Sequence, residues 1–307
     1  MRNSLKYSAV LLTTAMMLGG VTAAPNFGNP GQTPGDALYG LDRAMESLSL
    51  ALTFSKQARA NKSLKFARER LAEAKQLQEM NRTELANRSV GSYQKMIQKA
   101  RRIGESVSQA AKQQNINGVI SNATMEHARV LNQMKVTAGD PMYQAKTGAE
   151  EVAVGLETNA VQKARKQAEV LQHRVNETKF LADTNRTQAI ERTMNHYNQE
   201  LQQMQRIANV TDNRTRMKVQ EIVANATQKH IQVLERVREK VPEQARQGID
   251  NALNNSRKGH QNAVDAFKKA KNVLQEMPGG LPGKPGGSGS DQLDNRTDQP
   301  AGPGTPT

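Results

Sequence analysis

The sequence contains no cysteine and no tryptophan in 307 residues, and only five tyrosines and five phenylalanines. The missing cysteine excludes disulfides, thiolate metal sites and cysteine nucleophiles. An exported chain without disulfides must stand on packing alone, which about 250 residues of helix can supply. The scarcity of aromatics removes the stacking platform on which single-stranded nucleic acid is usually held, and no specific nucleic-acid motif takes its place. No HExxH, EXXH, GxSxG or Walker-type glycine loop occurs. Catalysis, a cofactor and a bound metal are therefore not expected. Asp36 and Asp140 read as helix caps before catalysts. Methionines at helical spacing read as core filler before copper ligands. His127 and His230 hold equivalent places in a repeat. A pseudo-symmetric metal pair is one reading of them, and histidines tucked into helix–helix seams is the preferred one.

What is present favours helix. The chain is 36% hydrophobic, too apolar for a disordered polymer yet thin for a large globular core. Ala, Leu, Met, Gln, Lys, Arg and Glu dominate its middle and are good helix formers, whereas a sheet would want more Val, Ile, Tyr and Phe. The expected fold is all-α: a tandem duplicated antiparallel helical bundle with long helices, a flexible N-terminal linker and a disordered C-terminal tail. The net charge is +14, from 43 Lys and Arg against 29 Asp and Glu. Such an excess favours anionic surface polymers or lipid headgroups as partners. The plainer account is a soluble, self-repelling surface, because basic residues are spread along every expected helix. Self-association through helices is a further expectation.

The two ends differ from the body. Arg2 and Lys6, the apolar run Ala9–Val21 and the small residues Thr22, Ala23 and Ala24 are the three parts of a secretory signal peptide. Residues 1–24 are read as that signal, cleaved near Ala23 or Ala24. The alternative is a retained N-terminal anchor, but the run is shorter than the roughly 18–20 residues a spanning helix needs. No later segment is apolar enough to cross a membrane. Residues 25–35 read as a Pro/Gly linker, and 277–307 as a low-complexity disordered tail.

Between them the chain repeats itself. Thr33, Gly35, Asp36, Tyr39, Glu46 and Leu52 return as Thr137, Gly139, Asp140, Tyr143, Glu150 and Leu156, always 104 positions later. Over Thr33–Ile103 and Thr137–Ile207, 20 of 71 pairs are identical without a gap. We read unit 1 as 36–136 and unit 2 as 137–241. Residues 242–276 form a C-terminal helical hairpin, a partial third unit that caps the array. Each unit has four helices. The first spans Ala37–Phe54, is capped by Asp36, and carries Leu38, Leu41, Met45, Leu48 and Leu52 on one face. The second, Lys56–Met80, has Leu64, Ala67, Leu71 and Ala74 as a heptad-like seam, repeated by Ala168, Leu171, Val175 and Thr178. The third runs to Lys112 in unit 1 and Ala208 in unit 2. The fourth opens at Asn122 in unit 1, while Met217–Val241 reads as a helix that begins earlier. The hairpin is expected as Pro242–Asn254 and Lys258–Gln275.

The block Pro34-Gly35-Asp36-Ala37-Leu38-Tyr39-Gly40-Leu41-Asp42-Arg43-Ala44-Met45-Glu46, with Ala67-Arg68-Glu69-Arg70-Leu71-Ala72-Glu73-Ala74 downstream, resembles an uncharacterised family. It comprises exported helical domains of archaea and some bacteria, known only as a domain of unknown function. Val241-Pro242-Glu243 and Ser256-Arg257-Lys258-Gly259-His260 resemble the end of its archaeal members. The resemblance implies an all-helical exported domain and transfers no activity. Unit 2 departs from it, because Tyr143-Gln144-Ala145-Lys146 lacks the leucine after the tyrosine.

The candidate site residues are asparagines. Asn-X-Ser/Thr occurs 11 times, at Asn61, Asn81, Asn87, Asn122, Asn176, Asn185, Asn209, Asn213, Asn225, Asn254 and Asn295. With 24 asparagines in the chain, roughly three such sequons are expected by chance. In an exported chain the excess reads as N-glycosylation. Helix capping competes at Asn122 and Asn225, which sit where helices are expected to start. The sequence thus points to an exported, N-glycosylated helical cell-envelope protein with a structural, adhesive or scaffold role. The alternative is an exported basic module that binds an anionic polymer, a membrane surface or chaperone-like clients.

Overall fold

The computed structural model describes residues 27–209 and 212–276. The expected signal peptide and its cleavage site, the tail from 277 onward and Asn295 lie outside the described residues. Among the described residues there are nine α-helices and no strand. They are α1 (Tyr39–Ala51), α2 (Lys56–Glu79), α3 (Thr83–Glu105), α4 (Ala110–Gln133), α5 (Tyr143–Gly155), α6 (Ala160–Asp183), α7 (Ile190–Asn209), α8 (Asn213–Lys240) and α9 (Glu243–Glu276). A 3-10 turn, Thr187–Ala189, leads into α7. The duplication is written into these bounds. A shift of 104 superposes both ends of α1 on α5 and of α2 on α6, and the C-terminal end of α3 on that of α7. The starts of α4 and α8 lie 103 apart.

Local chemistry explains where the helices start and stop. Ser55 accepts the Ala58 N–H at 3.4 Å ahead of α2. At the same place before α6, Asn159 accepts the N–H groups of Val161 and Gln162 at 3.1 Å each. These side chains satisfy donors that the first helical turn leaves free. Both second helices end alike. Asn81 and Asn185 take left-handed φ angles of 58° and 56°. The next residues, Arg82 and Arg186, donate their N–H groups back to Leu77 and Leu181 at 2.8 Å. This closes a Schellman-type stop, and asparagine is among the few non-glycine residues that accept the conformation readily.

Several expected boundaries move. Asp36 does not cap α1, which begins at Tyr39; its carboxylate instead accepts the N–H and hydroxyl of Thr33 at 2.6 and 2.9 Å. The third helix of unit 1 ends at Glu105, where Ser106 turns its hydroxyl back onto the Ile103 carbonyl. Asn122 and Asn225 lie inside α4 and α8, so they cap nothing. The expected C-terminal hairpin is one helix, α9. It runs unbroken through Asn254-Asn255 because it buries Leu253, Ser256 and Ala263 on its neighbours, and such packing overrides weak local propensity. The described part of the linker is docked. Phe27 is buried, and its carbonyl accepts Arg68 Nε at 2.9 Å.

The hydrophobic residues form two cores. One gathers α2, α3, α4 and α5; the other gathers α6, α7, α8 and α9. Leu71, Ile97 and Leu131 in the first and Leu171, Leu181 and Leu234 in the second are fully enclosed. Each such side chain contributes about 1.5–3 kcal/mol by leaving water. The packing is therefore out of phase with the sequence repeat by one helix. The first helix of unit 2, α5, completes the bundle of unit 1, and α9 completes that of unit 2. The first helix of unit 1, α1, leans on α2 with its apolar stripe outward. Leu52 is 63% exposed, whereas its counterpart Leu156 is 5% exposed.

Candidate functional site

Each unit holds a buried cluster of charge at matching positions. In unit 2, Arg174 of α6 donates Nη2 to Glu150 of α5 and Nη1 to Glu177 at 3.4 Å. His173 Nδ1 lies 2.8 Å from the other Glu150 oxygen. Glu177 also accepts the Ala138 N–H at 2.9 Å, Thr193 Oγ1 at 3.2 Å and Lys146 Nζ at 3.4 Å. All these side chains are buried. Such a group is stable only when every charge is paired, and here each carboxylate has at least two donors. In unit 1, Arg70 Nη2 lies 2.9 Å from both Glu46 and Glu73, Arg43 also donates to Glu46, and Ser89 donates to Glu73 at 3.2 Å.

The two clusters share a frame but not a charge balance. Asp42 and Glu69 of unit 1 are replaced by Lys146 and His173 in unit 2. Burial pushes Glu46 up to about 7, with Arg43 opposing and Glu69 and Asp42 adding to the rise. Burial likewise pushes Glu73 up to about 8. Burial acts on Glu150 in the same sense, but Arg174, the His173 hydrogen bond and Lys146 outweigh it and hold the carboxyl at about 2. Burial lowers Lys146, whose Nζ lies 3.1 Å from the Val136 carbonyl and 3.4 Å from Glu177. Because α5 packs on α3 and α4 while its charged side reaches α6, the second cluster fastens unit 2 to unit 1. Arg129 of α4 paired with Glu169 of α6, and Lys166 of α6 bonded to Asn122 of α4 at 2.9 Å, reinforce that joint.

The paired histidines are tucked into seams. His127 Nδ1 lies 3.3 Å from the Tyr93 hydroxyl and His230 Nδ1 lies 3.2 Å from Tyr197, each in its own unit. Burial lowers both to about 4, so they sit neutral at ordinary pH. Among the described residues no group of three or more His, Asp or Glu is arranged to hold a metal ion.

Ten of the 11 sequon asparagines lie among the described residues. Asn61, Asn81, Asn87, Asn122, Asn176, Asn185, Asn209, Asn225 and Asn254 are exposed, and Asn213 is half-buried. They occur on every helix except α1 and α5 or at the end of one. The third residue of the Asn209 sequon is outside the described residues. The helix-stop geometry gives Asn81 and Asn185 a structural role of their own. The charge clusters are hidden in the sequence; their trace is that Glu46, Arg70 and Glu73 recur unchanged as Glu150, Arg174 and Glu177. No helix among the described residues is long and apolar enough to cross a membrane.

A family model described as a domain of unknown function (DUF5667) matches residues 31–136 and again residues 135–244. Among curated proteins none matches. One solved structure, described as computational design of self-assembling cyclic protein homooligomers, is similar at 14% identity and a TM-score of 0.48, over 75% of this chain and 92% of that chain. A likeness at that level carries no argument.

Proposed function

The chain belongs to the DUF5667 family and carries its domain twice in tandem; from that premise we propose that it is an exported, N-glycosylated scaffold protein of the cell envelope. The observation that supports this most is the placement of the sequons. Nine of the ten described asparagines face solvent, and they are distributed over both bundles. A glycan on any of the nine would project outward without disturbing either core. The signal-like segment at residues 2–24 supplies the route by which such sites would meet a glycosylation machinery. The paired bundles, locked through α5, supply a stiff body suited to a scaffold.

The test is the intact mass of the protein recovered from the cells that make it. The expected mass lacks the first 23 or 24 residues and exceeds the remaining sequence by several glycan masses, which Asn→Gln substitutions remove one at a time. A mass equal to the bare sequence would refute the proposal.

A second reading rests on the +14 charge. An exported basic surface would hold acidic polysaccharide or anionic lipid headgroups, with binding that weakens as salt screens it. Retention on heparin that disappears at moderate salt, with no glycan mass, favours this reading over the first.

A further inference from the structure

Among the described residues the exposed large hydrophobic side chains are Leu38, Leu41, Met45, Leu48, Leu52, Phe54 and Met80, and six of the seven lie on or beside α1. Their spacing from Leu38 to Leu52 is three, four, three, four, the seam of a two-helix coiled coil. The side of α1 turned to solvent consists of Leu38, Gly40, Leu41, Ala44, Met45, Ser47, Leu48, Ala51 and Leu52, with no ionisable group among them. Arg43 and Glu46 turn toward the inner cluster, and Asp42, paired with Arg43 at 2.8 Å, keeps 41% of its side chain exposed at the edge of the apolar face. An uncharged apolar face on a chain of net charge +14 is where two copies repel least.

The repeat shows how the fold uses this face. At matching register in unit 2, Met142, Ala145, Ala149, Val152 and Leu156 are buried against α3 and α4. In α9, Ala245, Ile249 and Ala252 are buried against α7 and α8. Both surfaces that receive such a helix are thus already filled within one chain, and a second copy offers no vacant one. A head-to-tail contact is excluded unless α9 leaves. Size argues the same way. The inner helices present alanines and, at Gly148 and Gly248, glycines; a Cβ on Gly248 would stand 3.1 Å from the Glu191 backbone. The bulk of Leu41, Met45 and Leu48 does not fit such a seam.

We propose that α1 is a self-association surface, and that its occupant is α1 of a second copy in a two-fold pair. The face is complementary to itself. The ridge Leu41, Met45, Leu48, Leu52 runs beside a furrow of small residues, Gly40, Ala44, Ser47 and Ala51, so each ridge seats in the partner's furrow. Glycans do not obstruct it, because α1 carries no asparagine. The proposal rests on neither export nor glycosylation. A contact built on one helix from each side falls at the low end of protein interfaces, for which a Kd on the order of micromolar is expected.

The test is sedimentation of the full chain over roughly 1 to 100 µM, a range that brackets such an affinity. The wild type is expected to pass from monomer to dimer. The Leu41→Glu, Leu48→Glu pair is expected to raise the dimer Kd at least about thirtyfold, the loss of one central anchor, with helical circular dichroism unchanged. Because the chain has no cysteine, Met45→Cys gives an independent reading that needs no destabilising charge. Close to the two-fold axis it should form a disulfide-linked dimer on mild oxidation. A wild type that stays monomeric throughout, a dimer that survives both glutamates, or a Met45→Cys chain that fails to cross-link would overturn the proposal. So would association that appears only when residues 1–24 are removed, since that segment would then be the occupant.

Discussion

Glu46 and Glu150 are counterparts 104 residues apart, both buried against an arginine of the following helix, yet one binds its proton near pH 7 and the other near pH 2. The difference comes from neighbours: Glu69 and Asp42 add negative charge beside the first, while Arg174, a hydrogen bond from His173 and Lys146 hold the second ionised. Stability should follow. Unfolded glutamate titrates near 4.5 and histidine near 6.5. Glu46 and Glu73 have raised folded values, so their contribution is complete below about 4.5 and is lost as pH rises toward 8. His127 and His230 have lowered values, so theirs is complete above about 6.5 and is lost as pH falls toward 4. Glu150 adds a loss from 4.5 down toward 2. The melting temperature should therefore peak between about pH 4.5 and 6.5 and decline on both sides. The Glu46→Gln, Glu73→Gln pair should flatten the alkaline decline and leave the acid one. A wild-type melting curve that is level from pH 6.5 to 8 would contradict this.

Breaking the inner pair is costly. Glu150→Ala leaves Arg174 buried without its main partner, and the expected loss is about 3–5 kcal/mol. Replacing both by apolar residues of similar volume, Glu150→Leu with Arg174→Met, should recover most of that loss, because no buried charge is then stranded. Urea unfolding of the two variants and the wild type measures the difference. Equal stability of single and double variants would show that the cluster is not what holds α5 to α6.

Leu52 and Leu156 allow the same substitution at the same register in opposite environments. Leu156→Ala should cost about 2–5 kcal/mol as a core truncation. Leu52→Ala should change monomer stability by no more than about 0.5 kcal/mol, measured at a concentration where the chain does not associate. Comparable losses at both would mean that α1 is covered within the monomer.

Glycine positions report on helix approach. Gly248→Val places a branched side chain against the α7 backbone at Glu191 and should destabilise by about 1–3 kcal/mol. Gly118 lies in the interior of α4 with open space where its Cβ would be. Gly118→Ala should stabilise by about 0.5–1 kcal/mol through the lost freedom of the unfolded chain. Thermal unfolding of the two variants should move in opposite directions.

The sequence disclosed the helices and their duplication because both are local signals. Periodic leucines, the Asn-Arg-Thr breaks and the constant offset need no knowledge of what lies across the core. Direction was not legible. Leu41, Met45 and Leu48 mark an amphipathic helix as clearly as Ala145, Ala149 and Val152 do, but only the presence of α3 and α4 beneath the latter decides which stripe is buried. Asn122 and Asn225 read as helix starts because an asparagine near a threonine often caps; the chain instead starts those helices twelve residues earlier. α9 reads as two helices in the sequence for the same reason, since Asn254, Asn255 and Gly259 weaken helix locally while the underlying Tyr197–Ser256 hydrogen bond at 2.8 Å sustains it. The charge clusters are not legible in the sequence because charged residues in a basic chain read as solvated surface.

The one-helix offset between repeat and bundle means that the gene and the folded object would be divided at different places. A fragment ended at residue 136, where the first sequence unit closes, would expose the trough that α5 fills and would be poorly soluble. One ended near residue 158 would take α5 along and keep that trough closed. The same offset makes the array extensible: a further copy spliced in at the boundary would arrive with a helix for the bundle before it and a trough for the helix after it. Length in such a protein can grow by whole modules while its first helix stays open and its last stays shut.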